Sequence, residues 1–278
     1  MPLASNSYGK SGIRLVKLGR SGGRHDVKDL TVAVRFEGDF ETAHTAGDNS
    51  GVLPTDTMKN TVYALAKDGP TGEIEDFALA LTDHFLRGNP EVSRVEISIE
   101  ERLWDRVGES AFEGSREERR TARVSRWRDP SKASVESGLK DLLIMKTAQS
   151  GFAGFKRDRF TTLKETTDRI LATSLTAAWT HGKSAGPFAG SWERVRRTLL
   201  DAFAAHDSAS VQHTLHAMGE AALADHAGLS RIRLTMPNKH HLLVDLSPFG
   251  LKNDNEVFVA TEEPYGLIEA TVVRNGSE

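Results

Sequence analysis

The chain is predicted to be α+β, one ββααββ unit used twice, and three observations predict it. Apolar and polar residues alternate through Val32, Val34 and Phe36, through Val95, Ile97 and Ile99, and through Ile232, Leu234 and Met236. That two-residue period is the mark of half-buried strands. Apolar residues recur at three- and four-residue spacing through Ile74, Phe77, Ala78, Leu81 and Phe85, and again through Trp192, Val195, Leu199 and Phe203. That period is the mark of amphipathic helices. The order of the segments is the third observation: two strands, two helices and two strands occupy roughly 8–128, and the pattern then repeats.

A strand near 8–18 is joined to one near 26–40 by Gly19-Arg20-Ser21-Gly22-Gly23. The glycines read as a hairpin turn, because no helix pattern follows as a phosphate loop would require. A helix from about Asp56 to Lys67 precedes the Ile74–Phe85 stripe, and Val95–Ile99 begins the third strand. Asp129-Pro130-Ser131-Lys132 is a turn, which places the first unit at 1–130 and the second at 131–278. The second opens with strands at about 133–147 and 174–181. The Trp192–Phe203 stripe follows, then a helix stripe of Val211, Leu215, Met218 and Ala222. Strands at Ile232–Met236, Leu242-Val244-Leu246 and Ile268-Ala270-Val272 complete it. Each unit is expected to pack two helices on one face of an antiparallel sheet. The other face and the sheet edges stay open, which favours assembly into a closed oligomer.

Composition narrows the chemistry. The 278 residues carry a net charge of −3, with 38% hydrophobic and 27% charged residues. A balance of this kind exerts no general pull toward nucleic acid or anionic membrane, so any positive groups for an anionic ligand must be local. There are no cysteines, which excludes disulfides, thiol catalysis and cysteine-held metal. No stretch is apolar enough to span a bilayer. No signal-peptide pattern opens the chain, and Gly276-Ser277-Glu278 is not a peroxisomal tripeptide. The expected location is cytoplasmic.

Several segments carry candidate chemistry. Thr55-Asp56-Thr57 stands at a helix start, where it reads either as a plain N-cap or as an anion-seeking cluster of free amides. Ser208-Ala209-Ser210-Val211-Gln212 opens a helix at the matching place in the second unit. Phe152 and Arg169 read either as core and surface residues or as a ring that stacks on a heterocycle and a bidentate clamp on its edge. Asn238-Lys239-His240-His241 lies between two strand patterns, so adjacent histidines face opposite ways. His213 and His216 share helical spacing, but no third metal ligand accompanies them. Lys10 is an ordinary solvated charge unless its neighbours recruit it.

Taken together, these fragments resemble the urate oxidase family. The resemblance rests on Tyr8-Gly9-Lys10, Asp48-Asn49-Ser50, Thr55-Asp56-Thr57-Met58-Lys59-Asn60-Thr61, Gly154-Phe155 and Thr161-Thr162-Leu163-Lys164-Glu165-Thr166. It continues through Asp168-Arg169, Ser208-Ala209-Ser210-Val211-Gln212, Pro237-Asn238-Lys239-His240 and Gly266-Leu267-Ile268. The matches keep the family's order over nearly the whole chain. The resemblance implies the tunnelling fold, a tandem pair of ββααββ units assembling into a β-barrel oligomer. It implies cofactor-free oxidation of urate by O2 and water to 5-hydroxyisourate and hydrogen peroxide, with no metal. It assigns Lys10, Thr55 and His240 to a proton relay. Arg169 and Gln212 would grip the purine edge, and Phe152 would stack on the ring. Leu163, Val211 and Ile268 would surround the ring, and Asp56 would join Thr55 at the helix start. Asn238, with Thr55, would hold oxygen or water over the ring. The implied assembly is a homotetramer with sites shared between subunits. Ala153 and Thr167 depart from eukaryotic members, which often carry aromatic residues there, and the missing peroxisomal ending fits a bacterial type.

Two other readings compete. Pterin enzymes of the same fold anchor their heterocycle with a glutamate, and several use zinc with Cys or His ligands. The absence of cysteine and the Arg169–Gln212 pair argue against them. A purine-binding protein without catalysis would have lost the relay, yet Lys10, Thr55 and His240 are all present.

Overall fold

The computed structural model describes residues 3–69, 72–114, 117–129, 131–182 and 187–275. Pro130 of the expected turn and the terminal Gly276-Ser277-Glu278 lie outside the described residues. In chain order the elements are β1 (Tyr8–Ser21), β2 (Arg24–Gly38), α1 (Glu41–Thr45), α2 (Thr55–Asp68), α3 (Ile74–Gly88), β3 (Val92–Arg102), β4 (Asp105–Arg106), β5 (Phe112–Glu113), β6 (Arg119–Trp127) and β7 (Ala133–Lys146). There follow β8 (Leu171–His181), α4 (Ser191–Ala205), α5 (Val211–Asp225), β9 (Leu229–Lys239), β10 (His241–Leu243), a 3-10 turn (Ser247–Phe249), β11 (Phe258–Ala260) and β12 (Gly266–Val273). The fold is α+β, and its major strands and helices follow the twofold ββααββ order.

Contacts divide the chain into two compact units. One holds Met1–Gly138 and Thr180–Trp192, the other Leu139–Trp179 and Glu193–Glu278. In the first unit the strand order is β1-β2-β3-β6, with neighbours antiparallel. The expected hairpin turn is present: β1 and β2 close through Ser21 opposite Arg24, and the loop between them is Gly22-Gly23. Val32 lies opposite Ile99 and Ile97 opposite Val124, so the alternating apolar residues line up on one face. Helices α2 and α3 cover that face. Met58 and Val62 of α2, and Ile74, Phe77, Ala78, Leu81 and Phe85 of α3, join the strand residues in one buried cluster. The other face is polar, with Arg94 bridging Glu37 and Glu96, each at 2.7 Å.

In the second unit the strand order is β7-β8-β9-β12. Ile232, Leu234 and Met236 of β9 are fully buried, as are Leu215, Met218 and Ala222 of α5. Here one expectation fails. The alternation of Leu242, Val244 and Leu246 does not make a core strand. His241–Leu243 pair with Phe258–Ala260 in a two-stranded ribbon apart from the main sheet, and Leu242 is exposed. Asp245 and Pro248 explain the break. The Asp245 carboxylate accepts the Ser247 amide at 2.9 Å, and Pro248 lies in the first turn of the 3-10 segment that follows.

Candidate active site

Lys10, Thr55 and Asp56 lie in the first unit. Lys10 sits on β1 just before a register shift against β2, between Lys10 and Ile13. Gly12 takes the left-handed φ of 71° that this bulge uses, and a bulge of this kind re-aims the side chain beside it. Gly9 is needed for a different reason. A β-carbon there would stand 1.9 Å from the Val34 carbonyl oxygen, so only glycine lets the strands pair at Lys10.

Thr55 is the first residue of α2 and Asp56 the second. Neither caps the helix. The N-cap is Pro54, which makes no side-chain cap bond, and its carbonyl accepts the Met58 amide at 3.2 Å. Asp56 turns instead to its own helix face, where Lys59 bridges it and Asn60 donates to it at 3.0 Å. The Lys59 ammonium holds the Asp56 carboxyl below the usual carboxylate range, with Asn60 and the charge of Lys10 adding to the effect. Asp56 is therefore an anion at neutral pH, within electrostatic reach of Lys10. Among the described residues, the amides of Thr55, Asp56 and Thr57 have no backbone or side-chain acceptor.

In the second unit backbone hydrogen bonds hold the candidate residues. The segment Gln149–Phe152 lies between two others and bonds to both. Toward the start of α5, the Ser208 amide donates to Gln149 at 2.9 Å and the Gly151 amide to Ser208 at 2.7 Å. On its other edge, Phe152 and Thr166 exchange both bonds, at 2.7 and 3.1 Å, and the Arg169 amide donates to Ser150 at 2.8 Å. This weave brings Phe152, Arg169 and the α5 start together although they are far apart in sequence. Ser210 caps α5, its hydroxyl accepting the His213 amide at 3.1 Å. The amides of Val211 and Gln212 remain without a protein acceptor among the described residues. The Val211 side chain itself is buried, whereas Gln212 is exposed.

Arg169 holds its guanidinium carbon 5.3 Å from the Phe152 ring centre. It is half-buried, its Nε is buried without a hydrogen-bond partner, and no carboxylate pairs with it among the described residues. Burial pushes its pKa down from the ordinary value. A partly desolvated cation without an anion is an anion-binding group in waiting. Phe155 stacks on Phe152 with ring centres 4.9 Å apart and planes 13° from parallel. Gly154 makes this return possible at a left-handed φ of 68°. The sequence reading assigned Phe155 no role. Its spacing from Phe152 across a glycine was the available signal.

A third group lies where β9 ends and β12 begins. Asn238 pairs opposite Gly266, and Ile268 opposite Met236. Asn238 is buried, and its amide meets His240 Nδ1 at 3.5 Å. Thr261 holds the His240 carbonyl through its amide at 2.9 Å. Leu163 is exposed on the loop whose carbonyl Arg157 reaches at 3.3 Å. Among the described residues no three His, Asp or Glu side chains gather at metal-ligand spacing.

A family model described as Uricase matches residues 6–131 and 135–269. A Uricase from Arthrobacter globiformis is 45% identical over 99% of this chain and 91% of its own length. One from Dictyostelium discoideum is 38% identical over 99% and 98%. A crystal structure of the Arthrobacter globiformis uricase superposes with a TM-score of 0.96, covering 100% of this chain and 96% of that one.

Proposed function

The chain belongs to the Uricase family, and from that premise we propose how its residues carry out the oxidation. The activity is that of a urate oxidase, an oxidoreductase of purine degradation. Urate is a flat, electron-rich anion. Removing a second proton makes it reducing enough to give electrons directly to O2, so the reaction needs neither metal nor cofactor. Lys10 and Thr55 take and relay that proton. A hydroperoxide forms at ring carbon 5, and water activated through Lys10, Thr55 and His240 displaces it. The organic product is 5-hydroxyisourate, and the oxygen leaves as hydrogen peroxide. Arg169 and Gln212 grip the purine edge, Phe152 stacks on its face, and the Val211 amide bonds to it. Leu163 and Ile268 flank the ring. Asp56 stands beside Thr55, and Asn238 with Thr55 holds oxygen or water above the ring.

The observation that carries this reading is the half-buried Arg169 guanidinium beside the Phe152 ring, with no carboxylate partner among the described residues. A cation next to an aromatic face suits a planar anion. Each site takes Lys10, Thr55 and Asp56 from one subunit and the remaining residues from another. The repeats 1–130 and 131–278 thus supply one part each, in a homotetramer. The expected setting is a bacterial cytoplasm.

The test is to add urate to purified, exhaustively chelated protein and follow urate absorbance and peroxide together. Equal loss and release, with no added metal or flavin, is the expected result. Turnover that disappears on chelation and returns with a metal overturns the cofactor-free chemistry. Binding without peroxide overturns the assignment of the relay.

A further inference from the structure

Helix α2 carries Thr55 and Asp56 at its first turn, and strand β1 carries Lys10. The apolar side of α2, chiefly Met58 and Val62, holds the helix on the sheet. Hydrophobic contact is non-directional, so it does little to stop the helix sliding along its axis. A slip by one residue moves the helix by about 1.5 Å. A misplacement of about 1 Å can cost on the order of 10²-fold in rate. The axial position of α2 therefore needs directional contacts, and β1 supplies one at each end.

At the start of α2, the Leu53 amide donates to the Tyr8 hydroxyl at 3.0 Å. Leu53 provides the last amide before the helix, because Pro54 has none. Tyr8 is itself held edge-on by Phe40 at 4.7 Å and by Phe36 at 5.8 Å. Burial raises its pKa, so the phenol stays neutral through the physiological range. At the other end, Lys17 donates to three carbonyls, of Ala66 at 2.6 Å, Gly69 at 3.0 Å and Lys67 at 3.2 Å. Those carbonyls would otherwise be orphaned at the helix C-terminus, where a cation is favoured. Tyr8, Lys10 and Lys17 all lie on β1.

We infer that Tyr8 and Lys17 form a two-point clamp that fixes the axial register of α2 on β1 and so sets Thr55 against Lys10. They are positioning residues, and the inference rests on the reading of Lys10 and Thr55 as the proton relay. The clamp ties two motifs separated in sequence, Tyr-Gly-Lys and Pro-Thr-Asp, into one catalytic unit.

The test uses Tyr8→Phe, which removes only the hydroxyl and keeps the ring packed, and Lys17→Met, which keeps the aliphatic stem. For each, kcat for urate should fall by about tenfold while KM stays within about twofold. The pH profile of kcat should move, and binding of xanthine, a planar purine probe, should not. Lys10→Met is assayed beside them. If Lys10→Met abolishes turnover while Tyr8→Phe and Lys17→Met keep kcat and pH profile and only melt earlier, the clamp is wrong and the relay stands. A rise in KM alone also overturns the clamp. If Lys10→Met retains turnover, the relay reading fails and the clamp fails with it.

Discussion

The two units hold their candidate residues by opposite means. In the first, side chains do the positioning, and the charges are compensated locally, as Asp56 is by Lys59 and Asn60. In the second, backbone hydrogen bonds weave three segments together, and Arg169 has no carboxylate partner among the described residues. The difference matches the work proposed for each. Proton transfer needs a few groups in a tight mutual geometry, with charges that do not wander. Gripping a flat anion needs a rigid frame around a cation kept free of internal anions. The contrast also says how each part should fail, by slower turnover in one case and weaker binding in the other.

The largest effect expected is in the first unit. Lys10→Ala should lower kcat by about 10²- to 10⁴-fold, the usual range for removing a proton-transfer group, with little change in KM. Arg169→Ala should act in the opposite sense. It should raise KM by about 10- to 100-fold, the worth of a charge-assisted bidentate contact, and spare kcat by comparison. Steady-state kinetics on the two variants decides the matter. If both change only KM, the division of labour is wrong.

Much of this contrast was legible before the fold, and the part that was not has a physical explanation. The helix stripes at Ile74–Phe85 and Val211–Ala222 became buried faces residue for residue, because a strong period over several turns leaves few alternatives. The short helix α1 and the β4–β5 ribbon carry too few residues to show a period. The Leu242–Leu246 alternation misled because Asp245 and Pro248 override it locally. In the second unit the expected helix start is present, and Ser210 caps it. Thr55, Asp56 and Thr57 do not cap α2, because Pro54 already occupies the cap position and Asp56 has stronger partners in Lys59 and Asn60. The weave around Gln149–Phe152 left no pattern in the sequence. It consists of isolated bridges between segments that are not regular strands, and such pairings come from tertiary context alone.

If the two parts of one site come from different subunits, the contrast can be separated physically. Lys10→Ala chains have a defective first unit and an intact second, and Arg169→Ala chains the reverse. In a mixed two-fold pair, one shared site carries both lesions and the other carries neither. Refolding equal amounts together makes half the pairs mixed, so about a quarter of wild-type activity should return if sites act independently. Were each site drawn from a single chain, every site would hold one lesion. Mixed oligomers, verified by mass, that recover no urate-consuming activity would therefore rule out sharing.

The smallest effect probes the frame of the second unit rather than its charge. Phe155 backs Phe152 in a near-parallel stack at 4.9 Å, and Arg157 lies over Phe155 with its guanidinium carbon 5.5 Å from the ring centre. An aromatic pair of this kind contributes about 0.5–1.5 kcal/mol beyond the area it buries. Phe155→Leu keeps an apolar group but removes the stacking plane, so Phe152 should gain rotational freedom. A ring that must be ordered when substrate binds weakens binding by the cost of that ordering. KM for urate should rise by about 2- to 10-fold, with kcat nearly unchanged. Phe155→Trp, which retains a plane, should stay near wild type. Gly154→Ala offers a second route to the same disturbance. A β-carbon there meets nothing within 4 Å, so the substitution acts only through the left-handed φ, at a cost of roughly 1 kcal/mol. Its effect on KM should be the smaller of the two and in the same direction. A fall in kcat at constant KM for Phe155→Leu would place this stack with proton transfer instead, and the division between the two units would have to be redrawn.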